Sequence, residues 1–140
     1  MRKQSTISKS AAETQRFAAS LAKSLTARVE GAFVIGLEGN LGSGKTTFAQ
    51  GFAKGLGIKE KILSPTFVIL KKFKNFYHID CYRLKGPKEL LLLGWKEIVG
   101  NPKNIVVVEW AERVKKILPQ NTLWASLEHA GQKKRKITIR

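Results

Sequence analysis

The run from Gly39 to Thr46, GNLGSGKT, constrains the fold of this chain more than any other stretch. It fits the pattern G-x-x-x-x-G-K-[ST], in which backbone N–H groups surround phosphate oxygens, the lysine reaches the β- and γ-phosphates and the hydroxyl holds Mg²⁺. The glycines let the backbone turn tightly and approach an anion without a Cβ in the way. The run therefore predicts a phosphate-binding loop.

The sequence on both sides of the loop has the order that such a loop requires. Residues 32–37 form an apolar run of the length of a buried strand, and Phe48, Phe52 and Leu56 follow at helical spacing. The N-terminus of that helix presents unpaired N–H groups and a partial positive charge to phosphates. The residues that we expect to bind the nucleotide are Gly39, Asn40, Leu41, Gly42, Ser43, Gly44, Lys45, Thr46 and Thr47.

The composition of the 140 residues is that of one packed domain without a membrane span. Hydrophobic residues make up 43% of the chain, yet no apolar run approaches the roughly 20 residues that a span needs. The N-terminus lacks the apolar stretch of a signal peptide, so we expect a cytoplasmic protein. Cys81 is the only cysteine, and His78 and His129 lack ligand-like spacing, which argues against a disulfide or a transition-metal site.

The formal net charge of +16 is the extreme value of this composition. It predicts attraction to polyanions such as tRNA or other nucleic acid, or to an acidic partner. The lysines are spread along the chain, so a generally solvated basic surface is an equal alternative. The densest cluster, residues 133–136, falls in a predicted hairpin turn, where a run of charge is more often merely solvated.

Hydrophobic periodicity places the remaining elements. Ala11 to about Thr26 predicts an amphipathic helix with Ser10 as N-cap and Glu13 completing a capping box, and the residues before Ser10 are expected to be a frayed lead-in. Further strands are predicted over residues 66–73, 76–80, 105–108, 123–127 and 136–140, and short helices over residues 87–93, 95–99 and 112–118. The sum is a single three-layer α/β domain of the P-loop NTPase type over residues 1–140. Its sheet is mixed, with parallel strands near the phosphate loop and antiparallel hairpins at the edges.

A hairpin is predicted where Lys74 and Asn75 alone separate two of these strands. Asn75 tolerates a positive φ, as a turn of this length requires. If Phe73 faces Phe76, the pairing continues to bring Ile69 opposite the last residue of the second strand.

Two strands end in carboxylates, Asp80 and Glu109. Open α/β sheets bind ligands beyond the carboxyl ends of their strands, so we expect both carboxylates to point toward the γ-phosphate. One of them would hold Mg²⁺, which is usually bound by one or two carboxylates plus phosphates, and the other would orient or deprotonate a water. Which of the two ligates the metal stays open, as does a simpler role for Asp80 as a turn former.

Several motifs together make the chain resemble the TsaE family, the P-loop ATPases required for the threonylcarbamoyladenosine modification of bacterial tRNA. The resemblance rests on GNLGSGKTTF (39–48), SPTF (64–67), HIDCYRL (78–84), Glu89 with Leu93-Gly94, and VEWAER (108–113). These motifs occur in family order and spacing over most of the chain. The SPTF, HIDCYRL and VEWAER motifs are far more specific than a phosphate loop by itself.

The resemblance implies ATP or ADP and Mg²⁺ as cofactors and assigns a role to each site residue. Lys45 would grip the β- and γ-phosphates, Thr46 and Glu109 would hold Mg²⁺, and Asp80 would support the metal or the hydrolytic water. The remaining assignments are Thr66 as sensor of the γ-phosphate, Trp110 as a flank of the site, and Ser10 and Thr14 as contacts on the adenine side.

The resemblance also implies a monomer that works with a TsaD–TsaB heterodimer, with contact to tRNA indirect. ATP hydrolysis would drive turnover or resetting of the modification machinery. Arg83 and Arg113 are candidates for an arginine finger, although a partner can supply one. Since such a finger changes phosphoryl-transfer rates by orders of magnitude, we expect slow hydrolysis by the isolated chain.

Two other functions compete with this one. The first is a P-loop small-molecule kinase, but residues 84–104 are too few and too apolar to supply both a lid and an acceptor pocket. The second is a basic nucleic-acid-binding module, whose affinity would depend on the number of charges and be indifferent to Lys45.

Overall fold

A computed structural model describes residues 3–25, 31–63 and 69–140 of the chain. The chain divides into two compact units. The described part of the first unit consists of residues 3–25, 38–63 and 124–140, and that of the second consists of residues 31–37 and 69–123. The single domain over residues 1–140 stays a prediction.

The described elements alternate between strands and helices. The strands are β1 (Gln4–Ser8), β2 (Phe33–Glu38), β3 (Leu70–Phe73), β4 (Phe76–Asp80), β5 (Ile105–Glu109), β6 (Leu123–Gly131) and β7 (Lys134–Ile139). The helices are α1 (Ala11–Lys23), α2 (Lys45–Gly55), α3 (Pro87–Leu92) and α4 (Trp95–Gly100), with a 3₁₀ helix over Ala111–Ile117. None of these helices is long and apolar enough to cross a membrane.

In the first unit β7 is flanked by β6 and β1, both antiparallel to it. The predicted hairpin of β6 and β7 is therefore confirmed, with strands longer than expected. The expectation of a frayed lead-in is wrong, because residues 4–8 form β1. The sequence of β1 does not indicate a strand, because the apolar Ile7 is 49% exposed and the polar Ser8 is buried. Pairing with β7, and not burial of apolar side chains, therefore stabilises β1.

The helices α1 and α2 of the first unit pack closely, with both small and aromatic residues buried on them. Ala18 and Ala22 of α1 are buried, as are Phe48 and Phe52 of α2. At Gly51 the approach is so close that a Cβ would lie 2.3 Å from the backbone oxygen of Gln15. The glycine therefore lets the two helix backbones meet.

We predict that Gly51→Ala destabilises the fold by about 2 kcal/mol, because overpacking against backbone exceeds the roughly 1 kcal/mol gain in helix propensity. Gly100→Ala in α4 is the matched control, since a Cβ there has nothing within 4 Å. Urea unfolding measures both variants. Equal midpoints for the two variants would contradict the close packing.

The second unit contains a mixed sheet. β2, β5 and β4 run parallel, with β5 in the middle, and β3 is antiparallel to β4. Val106, Val107 and Val108 of β5 are fully buried, as expected for a parallel strand covered on both faces. The α/β class with a mixed sheet is thereby confirmed.

The hairpin of β3 and β4 has the predicted register, with Phe73 paired to Phe76. The turn differs in one respect, since the residue with positive φ is Lys74, at 56°, and the expectation for Asn75 is wrong. The Asn75 side chain instead donates a hydrogen bond to the carbonyl of Lys103. That bond uses the amide that would otherwise stabilise a left-handed conformation at this position.

The last short helix is also different from its prediction. Residues 112–118 were expected to be helical, and the chain instead forms a 3₁₀ helix over Ala111–Ile117 that is broken at Val114 by a φ of −124°. The buried indole of Trp95 donates to the carbonyl of Ile117 at 3.0 Å, which satisfies a group that a helix end leaves open.

Candidate nucleotide site

The loop after β2 depends on glycine at three positions, because φ is +151° at Gly39, +77° at Gly42 and +104° at Gly44. Residues other than glycine rarely adopt these angles. At Gly39 space is short as well, since a Cβ would lie 2.3 Å from the carbonyl oxygen of Leu127. The backbone itself therefore lines this loop, as a phosphate cradle requires.

Lys45 is the first residue of α2, and its side chain turns back over the loop. Its Nζ donates to the carbonyl of Gly39 at 2.6 Å and to that of Asn40 at 3.0 Å, and only 5% of the residue is exposed. These contacts fix the ammonium beside the loop amides. Thr46 and Thr47 follow in the first turn of α2, at the positive end of the helix dipole.

A cavity of about 520 Å³ lies beside this loop within the first unit. One side is formed by Ser10, Ala11, Ala12 and Thr14 at the start of α1, and another by Gly42, Gly44 and Thr47. Both residues expected on the adenine side, Ser10 and Thr14, thus line the same cavity as the phosphate loop.

The hydroxyls of Ser10 and Thr14 already have partners. The Ser10 Oγ accepts from the Glu13 amide at 3.1 Å, and Thr14 Oγ1 lies 2.6 Å from Ser8 Oγ. The predicted N-cap is present, although the Glu13 carboxylate reaches the amide of Lys9. These bonds hold the start of α1 in place at the cavity.

The hairpin of β6 and β7 supplies a wall that the sequence analysis missed. Lys133 and Arg135 both line the cavity, although the cluster containing them was expected to be merely solvated. The Arg135 Nη2 donates to the carbonyl of Gly42 at 3.1 Å. Sequence separation hides this contact, since 93 positions divide the two residues.

In the second unit the structure brings the two predicted carboxylates together. β4 and β5 are parallel neighbours, and Asp80 pairs in register with Glu109. Glu109 is 2% exposed, whereas Asp80 is partly exposed and its Oδ1 accepts from the Tyr82 amide at 2.9 Å. Asp80 is therefore a turn former as well as a candidate functional carboxylate.

His78 is a further residue of this site that the sequence analysis did not assign. Its Nε2 lies 2.6 Å from the Glu109 Oε2, and because a carboxylate accepts, Nε2 carries the proton and donates. Both side chains are buried, and His78 Nδ1 has no hydrogen-bond partner among the described residues. The H-x-D spacing could have indicated that His78 lies near the carboxylates, because His78 and Asp80 are alternate residues of β4 and share a face of the sheet.

Trp110, directly after Glu109, has an unusual backbone with φ of 57° and ψ of 40°. Its ring lies 5.0 Å from that of Tyr82, and the Arg113 guanidinium lies 5.5 Å from the Trp110 ring and 5.4 Å from the Tyr82 ring. A left-handed aromatic residue costs conformational energy, and such strain clusters at functional sites. Thr66, the expected γ-phosphate sensor, lies outside the described residues.

Cys81, between Asp80 and Tyr82, supplies no nucleophile at this site. The thiol is fully buried, and burial, assisted by the charge of Asp80, raises its pKa to about 12. The Cys81 thiol is therefore protonated at neutral pH, and a protonated thiol is not a nucleophile.

The predicted ligand residues include the types of group that a magnesium nucleotide requires. No cluster of three or more His, Cys, Asp or Glu side chains suited to a metal ion occurs within residues 3–25, 31–63 and 69–140. Mg²⁺ needs no such cluster, because one or two carboxylates, a hydroxyl and nucleotide phosphates suffice. The strand-end carboxylates of Asp80 and Glu109 and the hydroxyl of Thr46 are groups of this kind.

Comparison with known proteins identifies the family. The sequence model of the family described as "Threonylcarbamoyl adenosine biosynthesis protein TsaE" matches residues 8–137. The chain belongs to the TsaE family. Its P-loop, strand-end carboxylates and W-A-E-R segment all lie within the matched residues.

Individual members of the TsaE family are similar to this chain over most of its length. The tRNA threonylcarbamoyladenosine biosynthesis protein TsaE of Treponema pallidum is 38% identical over 95% of this chain and 97% of its own. The protein of the same name from Bacillus subtilis is 41% identical over 76% of this chain and 68% of its own. A crystal structure of Bacillus subtilis YdiB matches with a TM-score of 0.80 at 32% identity, covering 99% of this chain and 84% of that one.

Proposed function

We propose that this TsaE-family chain binds ATP with Mg²⁺ and hydrolyses it slowly, as a subunit of the machinery that makes threonylcarbamoyladenosine in tRNA. The observation that carries the proposal is the glycine loop, with Lys45 folded over it, beside a cavity of about 520 Å³. Small-molecule sites occupy about 300–1,000 Å³, so the cavity suits a nucleoside. The names of the curated relatives support the pathway.

The phosphates would lie on the loop amides and the N-terminus of α2. Lys45, held on the carbonyls of Gly39 and Asn40, would donate to the β- and γ-phosphates. Mg²⁺, when bound with the nucleotide, would supply positive charge that offsets the charge of the phosphates. The Thr46 hydroxyl and the Glu109 carboxylate would hold it, since a hydroxyl and a carboxylate are ligands that Mg²⁺ accepts beside nucleotide phosphates.

The second carboxylate and the histidine have separate roles in this proposal. His78 holds one oxygen of Glu109 and so fixes the orientation of the carboxylate. Asp80, which is partly exposed, would orient the attacking water or support the metal. Thr66 would sense the γ-phosphate, and Trp110 would flank the site.

The reaction is expected to be slow in the isolated chain, because phosphoryl transfer gains most from an arginine at the developing charge. Arg113 lies against the rings of Tyr82 and Trp110, and Arg83 is the other candidate. We propose that a TsaD–TsaB heterodimer completes the site or uses its ATP cycle, and that tRNA contact is indirect. A small-molecule kinase and a basic nucleic-acid-binding module are less well supported, since neither accounts for the match to the TsaE family.

Lys45→Ala should raise the Kd for MgATP at least about 100-fold, because the phosphates lose a charge-assisted donor held in a low-dielectric loop. Lys54→Ala, on the same helix but with an exposed side-chain contact, should leave the Kd within about 2-fold. Calorimetric titration with MgATP measures both. Equal affinities in wild type and Lys45→Ala would contradict nucleotide binding at this loop.

Glu109→Gln should raise the Mg²⁺ concentration for half-maximal ATP hydrolysis about 10-fold or more, because a neutral amide is a poorer ligand for a hard cation. Binding of ATP measured in EDTA should stay unchanged. Glu112→Gln, which alters an exposed carboxylate on the 3₁₀ helix, is the control. A Mg²⁺ dependence that is the same in all three proteins would rule out Glu109 as the metal ligand.

The biological role is tested by reconstitution. The chain is mixed with a TsaD–TsaB heterodimer, tRNA and threonylcarbamoyl-adenylate, and modified tRNA is counted per heterodimer over time. We expect several turnovers with ATP and the wild-type chain, and about one or fewer without ATP or with Lys45→Ala. Several turnovers without this chain would overturn the proposed role.

A further inference from the structure

We propose that the hairpin of β6 and β7 binds the nucleotide, with Arg135 contacting the α-phosphate or nucleoside end and Lys133 adding a second positive charge there. This inference rests on the proposed function, since it names an additional part of the same nucleotide site. Neither residue belongs to the motifs by which the sequence indicated nucleotide binding.

The position of Arg135 along β7 places its side chain on the face of the strand that borders the cavity. Side chains alternate along a strand, so Arg135 shares a face with Ile137 and Ile139, both of which are buried. Lys134 and Lys136 lie on the opposite face and are exposed. The basic cluster is therefore divided in two, and only Lys133 and Arg135 line the cavity.

The backbone at Arg135 is held on both sides. β7 is the middle strand of its three, and Arg135 pairs with Ser8 of β1 and with His129 of β6. Ser8 is two residues before Ser10, the N-cap of α1. Arg135 thus lies where the strand β1 leads into the α1 side of the cavity.

The guanidinium is already oriented and still has donors to offer. Nη2 donates to the Gly42 carbonyl and Nη1 to the Lys134 carbonyl, which leaves three of the five N–H groups without a bond to any described residue. Arg135 is partly buried, so a charged contact there is screened less by solvent than one on the open surface. A phosphate or the face of a base would suit this cation.

The lining also indicates which end of the nucleotide is involved. Among the described residues the cavity is lined by Thr47 and the start of α1, whereas Lys45 and Thr46, which serve the β- and γ-phosphates and the metal, do not line it. Arg135 therefore faces the part that ATP and ADP share. Loss of its contact should weaken both ligands by the same factor.

The test compares Arg135→Ala with Lys136→Ala, which removes the same charge from the next residue of the same strand but from the opposite face. Kd values for MgATP and MgADP are measured by calorimetry. We expect Arg135→Ala to raise both about 10-fold, as for loss of one charge-assisted contact. Lys136→Ala should change them by less than about 2-fold, and Lys133→Ala should fall between the two.

Several outcomes would overturn the inference. One is an equal effect of Arg135→Ala and Lys136→Ala, which would mean that only the overall charge matters. Another is a loss for MgATP without a loss for MgADP, which would move Arg135 to the γ-phosphate. If wild type itself bound neither nucleotide, or if Lys45→Ala bound both normally, the proposed function would fail instead.

If Arg135→Ala does not fold, Arg135→Lys is the second variant, because it preserves the charge and most of the packing. It should raise both Kd values about 3-fold, because lysine lacks the planar fork that spans Gly42 and the ligand. Thermal melting without nucleotide identifies variants whose fold is damaged. Wild-type affinity in a folded Arg135→Lys protein, together with failure of Arg135→Ala to fold, would assign Arg135 a structural role and reject the inference.

Discussion

The site in the first unit depends on the contact between the Lys45 ammonium and the carbonyl oxygens of Gly39 and Asn40. The contact requires the side chain to turn back over its own loop, which is feasible only when the backbone between them follows the left-handed angles found at Gly42 and Gly44. Glycine is thus needed twice over, for the shape of the cradle and for the position of the charge within it. The cation and the loop amides are therefore oriented together, as a preorganised anion site would require.

A different constraint governs the carboxylates of the second unit. Glu109 is almost fully buried at the end of a strand of valines, where an uncompensated charge would be costly. The hydrogen bond from His78 offsets part of that cost and fixes the direction in which the carboxylate points. Asp80, one strand away, is more exposed and is oriented by a backbone amide. The neighbouring strands therefore present two carboxylates with different surroundings, which suits different roles.

Much of this arrangement could be predicted from the sequence because short-range patterns determine it. The phosphate loop, the capping residue Ser10, the hairpin register at Phe73 and Phe76, and the strand ending at Glu109 all depend on residues close together in the chain. The α/β class and the TsaE family followed from the same motifs and are confirmed.

The features that escaped prediction depend on pairing between distant segments. β1 has no apolar alternation, and only its ladder with β7 makes it a strand. Arg135 lies in a run of four basic residues, and nothing local distinguishes it from Lys136 until the strand register assigns them to opposite faces. The conformation of the turn at Lys74 was not predicted, because the Asn75 side chain donates a hydrogen bond to the Lys103 carbonyl, 28 positions away in sequence.

The close contact of α1 and α2 at Gly51 affects the spacing between the first turns of the two helices, which lie at the cavity. α1 begins at one side of the cavity, and α2 begins at the end of the glycine loop that forms another side. Because the two helix backbones are in close contact at Gln15 and Gly51, they have little room to shift relative to each other there. This contact, at Gln15 near the start of α1 and Gly51 in the second half of α2, therefore limits how far the two starting points can shift. Side chains that line the cavity could therefore change which ligand it accepts without altering the spacing between the two helices.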